Sequence, residues 1–164
     1  MTSSGVVMDK TLTTDLLCAA LAMMLLWAAV VDIRTRTIAN GLNLALALMA
    51  PLFWWATNTE LWPDAAIRVG VAVAVFGLFA LAFHFGAMGG GDVKLAAALA
   101  LWFAPGDTLF LIVLMSLAGG LLTLIVMVEH NLRKKAGRPE VPYGVAIAFG
   151  GLWLLAQRFL NHFA

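Results

Sequence analysis

Long stretches of this chain carry no charge, and the gaps between charges lay out its elements. Leu16 to Val31 is entirely apolar, and neither Arg36 to Glu60 nor Arg68 to Asp92 encloses an acidic, Lys or Arg residue. Leu95 to Pro105 is a shorter apolar piece, Thr108 to Val128 is a full span, and Pro142 to Gln157 is the last. Crossing a bilayer takes about 20 residues, with roughly 17 as the lower limit. The third and fifth segments reach that length, the first and last need flanking residues, and the fourth suits a tilted or partly embedded helix. The pattern predicts an all-α membrane protein, a polytopic bundle of about six transmembrane helices with the fourth short. The polar breaks at 32–40, 57–64, 86–92, 105–107 and 129–142 read as connections between spans. No repeat or boundary interrupts them, so residues 1–164 read as one integral membrane domain.

Composition strengthens this reading. The chain is 63% hydrophobic and 12% charged, with a mean hydropathy of +0.96, far more apolar than a soluble domain. The stretch after Lys10 has the look of a secretory signal. A signal would end in a small-residue cleavage site, whereas Trp27-Ala28-Ala29-Val30-Val31-Asp32 runs on into a candidate functional residue and is expected to stay as a span. A net charge of +1, with no basic cluster interleaved with aromatics, gives no sign of a nucleic-acid partner. The single cysteine, Cys18, offers neither a disulfide nor a cysteine-based zinc site and is expected to be a small packing residue.

Charge asymmetry sets an expected orientation. With six spans, one side receives Arg34, Arg36, Lys94, Arg133, Lys134, Lys135 and Arg138, and the other Lys10, Arg68 and Arg158. Positive residues favour the cytoplasm, so both termini are expected outside. The outer side also collects Asp9, Asp15, Glu60, Asp64 and Asp107. Trp54, Trp55, Trp62 and Trp102 fall near it, as an interfacial aromatic belt would.

Two acidic residues stand apart. Gly89-Gly90-Gly91-Asp92-Val93-Lys94-Leu95 places a carboxylate between apolar segments, where an ionisable group is costly and by default marks a functional site. The glycines weaken helix formation and admit a close backbone. Asp32 ends the first apolar run, and two crossings return the chain to the same face before Asp92. If the two meet, like charges in a low dielectric share one proton. An aspartyl protease needs that state: the ionised carboxylate takes a proton from water while the protonated one polarises the scissile carbonyl. The structural alternatives are an N-cap role for Asp92 and an ion pair of Asp32 with Arg34 or Arg36.

The same residues resemble the prepilin peptidase family, membrane aspartyl proteases of type IV pilin and pseudopilin processing. Gly89-Gly90-Gly91-Asp92 is similar to its GxGD signature. Asp32-Ile33-Arg34-Thr35-Arg36-Thr37-Ile38-Ala39-Asn40 resembles its D-x-R-x-x-x-I-P-N motif, with Ala39 where proline is usual. Val141-Pro142-Tyr143-Gly144 resembles its P-[YF]-G element. The resemblance implies a catalytic pair, Asp32 and Asp92, in the bacterial inner membrane with the site at the cytoplasmic face. It implies an active-site loop or substrate contact for Gly89, Gly90, Gly91, Asn40 and Lys94. Lys94 otherwise snorkels to headgroups. Asn40 either fixes the loop or caps the second span, and Pro142 and Gly144 shape the start of the last helix.

By the same resemblance the partners are a prepilin or pseudopilin with a basic leader ending in Gly, the lipid bilayer and pilus assembly machinery. No cofactor or metal is implied. Large bifunctional members carry a cysteine-bearing insertion associated with N-methylation from S-adenosylmethionine. The short first connection here resembles the short peptidases of Flp, or tight-adherence, pili.

Other readings stay in view. His84 precedes Asp92 by eight residues and either tunes the pair or packs as a hydrogen-bonded core histidine. No H-E-x-x-H suggests a zinc protease, and Ser116 lacks a G-x-S-x-G context. A preflagellin peptidase shares the aspartates. A small transporter or proton pathway also uses membrane carboxylates, but it needs a polar route through outer half-spans that are almost free of ionisable groups. A structural subunit of a secretion assembly is the third class.

Overall fold

A computed structural model describes residues 3–133 and 141–163. Within them six helices follow one another: α1 (Ser3–Thr35), α2 (Asn40–Ala56), α3 (Ala66–His84), α4 (Gly90–Ala100), α5 (Pro105–Leu132) and α6 (Tyr143–Phe163). A kinked segment, Leu61–Ala65, with Trp62 extended at φ −135° and ψ 127°, leads into α3. Among the described residues there is no strand, and four stretches are long and apolar enough to cross a membrane: Asp9–Thr35, Leu61–His84, Pro105–Leu132 and Tyr143–Asn161. The chain is therefore an all-α, multi-pass membrane protein. α2, with 17 residues, is at the lower limit for a crossing. α4, with 11, rises about 16 Å, half of a hydrocarbon core.

Several expected breaks turn out to be helix. α1 runs on to Thr35, so Asp32 sits in its last turn and the connection shrinks to 36–39. Pro105, Gly106 and Asp107 open α5, with proline at the position where its missing N–H costs nothing. Gly90, Gly91 and Asp92 already belong to α4, which leaves 85–89 as the link from α3. α5 continues through Glu129 to Leu132. Lys134, Lys135 and Arg138, used in the charge count, lie outside the described residues.

α4 is the shortest helix and the most enclosed. Asp92, Val93, Leu95, Ala96, Ala98, Leu99 and Ala100 are all buried, because α4 packs on α3, α2 and α6 together. Leu95 and Leu99 meet Leu21 and Leu25 of α1, Leu46 of α2 and Ile147 of α6 in a core closed to solvent. Cys18 is 1% exposed within it, the packing residue expected. α3 has the opposite character. Only Ala72 and Val75 are buried, while Val73, Phe76, Leu78 and Leu81 stand outward, the surface a lipid-facing helix presents.

The far end of α4 is latched by side chains. Trp102 Nε1 donates to the Leu46 carbonyl at 2.9 Å and Trp54 Nε1 to the Leu101 carbonyl at 2.8 Å. Arg68 Nη1 donates to the Trp102 carbonyl at 2.7 Å. The Leu101 and Trp102 carbonyls, freed where α4 ends inside the bundle, need such partners, while Leu46 lies within α2. Trp102 is thereby a core anchor, 2% exposed and packed on Phe53. It was expected in the interfacial belt. Its indole finds a partner inside, so burial wins. Trp55 and Trp62 do stand exposed.

Candidate active site

α1 ends, and α2, α4 and α6 begin, at one end of the bundle, and the two aspartates are buried there. Asp32 is 3% exposed and Asp92 7%. Neither Arg34 nor Arg36 forms an ion pair with Asp32 among the described residues, so the ion-pair alternative is set aside. Asp32 Oδ2 and Asp92 Oδ1 are enclosed without a hydrogen-bond partner. Such groups are expensive to bury, and a fold that keeps them needs a reason beyond stability.

Asp32 rests against the start of α6. A Cβ on Gly144 would fall 2.8 Å from Asp32 Oδ2 and 2.7 Å from Ile38 Cδ1. Only glycine lets the α6 backbone come this close. The amides of Gly144 and Val145 approach the Asp32 carboxylate, and free amides at a helix start favour negative charge. Pro142, just before the helix, needs no donor there and accepts from the Val145 amide.

Asp92 lies in the first turn of α4 and folds back toward Gly89, whose Cβ would fall 2.7 Å from Asp92 Oδ2. Gly91 lies against the backbone of Ile38: a Cβ there would stand 3.0 Å from the Ile38 Cβ and 3.1 Å from its carbonyl oxygen. The Gly91 carbonyl accepts from Asn43 Nδ2 at 3.0 Å. The charge of Asp32 acts on Asp92. Both aspartates thus border Ile38, Asp32 beside Ile38 Cδ1 at Gly144 and Asp92 through the adjoining Gly91, which lies against the Ile38 backbone.

The strap from α1 to α2 has its own geometry. Arg36 takes a left-handed φ of 54° and its amide donates to the Asp32 carbonyl. Thr35 Oγ1 donates to the Val31 carbonyl and lies 3.0 Å from Thr37 Oγ1. These contacts turn the chain so that Ile38 points inward, 8% exposed. Ala39 holds φ −64° and ψ 135°, a backbone that proline itself prefers.

The remaining site residues divide. Asn40 is the first residue of α2 and not its cap. Its Oδ1 accepts from Lys94 Nζ at 2.7 Å, which ties the exposed Lys94 to the start of α2. Gly90 packs near Phe83. His84 ends α3 in an exposed position with its ring edge-on to Phe85, so the buried, hydrogen-bonded histidine was not found. Ser116 is exposed on α5. Ile38 and Asn43 were missed. Asn43, 5% exposed inside an apolar segment, carried the signal that a polar residue in a span gives; Ile38 carried one only through its place in the D-x-R-x-x-x-I-P-N resemblance. Among the described residues, no three His, Cys, Asp or Glu side chains group as a metal site.

A model of the type IV leader peptidase family matches residues 19–124, which include both aspartates. The chain belongs to that family. The prepilin leader peptidase/N-methyltransferase of Pectobacterium carotovorum subsp. carotovorum is 30% identical over 141 residues, 84% of this chain and 50% of that protein. The chain thus spans about half the length of this curated member of the leader peptidase family. No solved structure matches.

Proposed function

We propose that this protein is a membrane aspartyl endopeptidase that removes the leader from type IV prepilins or pseudopilins, with Asp32 and Asp92 as the catalytic pair. The observation that carries the reading is the burial of these two carboxylates, from different helices, in one cluster with unpartnered oxygens. Family membership supports the choice of substrate, as does the name of the relative.

In the proposed mechanism, mutual repulsion in the low-dielectric cluster keeps one proton on the pair. The charged carboxylate removes a proton from water as it attacks the scissile carbonyl. The protonated carboxyl hydrogen-bonds the carbonyl oxygen and then donates to the leaving amine. Gly144 and Val145 hold Asp32 by their backbone, and Gly89 and Gly91 hold the Asp92 turn; these are positioning contacts. The site end faces the cytoplasm in this reading, supported by Arg34, Arg36 and Lys94 around it. The four-residue strap at 36–39 supports a short, Flp-type enzyme, and N-methylation is not carried over from the relative's name.

The test is cleavage of a synthetic substrate by the protein purified into liposomes. The substrate has a basic leader, a glycine and an apolar helix of about 20 residues. Wild type should release the leader with a chelator present and leave the new terminus unmethylated when S-adenosylmethionine is added. Asp32→Asn and Asp92→Asn should each lower turnover roughly 10³-fold or more, and the double variant should be little worse. The rate should fall on both sides of an optimum pH, because one carboxyl must be charged and the other protonated. Near-normal turnover in either single variant would remove that residue from the mechanism.

A further inference from the structure

We infer that Ile38 is a positioning residue for the reaction, a spacer that sets the gap between the Asp32 and Asp92 carboxylates. Between them, its side chain and backbone meet Gly144 and Gly91, the glycines beside which the pair sits. On one side, Ile38 Cδ1 and Asp32 Oδ2 flank the same point beside Gly144, 2.7 and 2.8 Å from where a Cβ would stand. On the other, its backbone lies against Gly91, the residue before Asp92. α6 and α4 therefore begin on opposite sides of one isoleucine.

The surroundings make the spacer stiff. The left-handed Arg36 and the Thr35–Thr37 contact fix the strap that carries it. Asn43 holds the Gly91 carbonyl, so the Asp92 side of the gap is pinned to α2. A β-branched side chain has few rotamers, which suits a residue whose width matters. Ile38, Asp32 and Asp92 are 8%, 3% and 7% exposed, so the isoleucine side chain fills space beside the pair that water would otherwise enter. Few other charges reach the cluster. Arg36 acts on Asp32 from the strap, and Lys94 is turned to Asn40. The first turn of α6 offers backbone amides and Tyr143, whose hydroxyl lies 3.3 Å from Thr123 Oγ1.

The inference rests on the aspartyl reading, and the experiment separates the two. Leader release is followed across pH for Ile38→Val, Ile38→Leu and Ile38→Ala, normalised to inserted protein. Ile38→Ala removes the reach to Gly144 and admits water. It should lower kcat by roughly 10- to 100-fold, leave KM within about twofold, and narrow the pH–rate bell, because hydration weakens the coupling between the carboxyls. Ile38→Leu keeps a δ-carbon and should recover most of the rate and the width, and Ile38→Val should lie between. A wild-type bell in Ile38→Ala, or a loss confined to KM, would overturn the spacer role. If Asp32→Asn or Asp92→Asn still cleaves, the aspartyl reading fails. If both are inactive while the Ile38 series is flat, the spacer alone fails.

Discussion

Ala39 shows how a motif can lose a residue and keep its shape. Proline is usual at this place in the resembling motif, and alanine here holds φ −64° and ψ 135° unaided. Ala39→Pro should therefore stabilise the protein by about 0.4–1 kcal/mol, since proline narrows the unfolded chain without straining the folded one. A higher midpoint of thermal unfolding in detergent, with cleavage retained, is the expected result. A lower one would show that the strap needs freedom at this position. The aspartates were legible in the sequence because a charge between apolar runs has few innocent explanations. Their supports were less so. Gly144 and Gly91 matter for what lies opposite them, and the motif marks Ile38 without showing that α4 and α6 both begin beside it. A spacing rule along one helix cannot report contacts among three.

At the scale of the helices, hydropathy found the six helices but not their ends. α1 and α5 extend past their apolar runs into mostly exposed residues, because a polar side chain outside the core does not by itself end a helix. α4 was legible as a short piece, while its central place was not: an alanine-rich segment reads as weakly apolar, yet small side chains are what let three neighbours close on it. Trp102 carries that closure. Trp102→Phe should lose the bond to Leu46, about 1 kcal/mol, and Trp102→Ala about 3–5 kcal/mol. Trp55→Phe, at a site 62% exposed, should change little. Thermal inactivation midpoints of the three variants in one detergent make the comparison. Equal effects at Trp102 and Trp55 would return Trp102 to the interfacial role first expected of it.

For the whole molecule, the charge bias predicts which end faces the cytoplasm. With Cys18 replaced, a cysteine at the exposed Thr37 should label from the cytoplasmic side of oriented vesicles, and one at the exposed Gly106 from the other. The reverse pattern would invert the orientation and put the aspartates on the wrong side for a leader still attached to a cytoplasmic chain. The charge-free runs predict an even number of crossings between Asp32 and Asp92. Parity gives a shared depth, whereas contact between the two depends on lateral arrangement, which is set by packing. That arrangement also decides where the chain is free to change. α4 has seven of its eleven residues buried and answers to several neighbours at once, while α3 has only two buried and answers chiefly to lipid. Over long descent α3 should exchange one apolar residue for another almost at will, and α4 should alter only in step with the helices that enclose it.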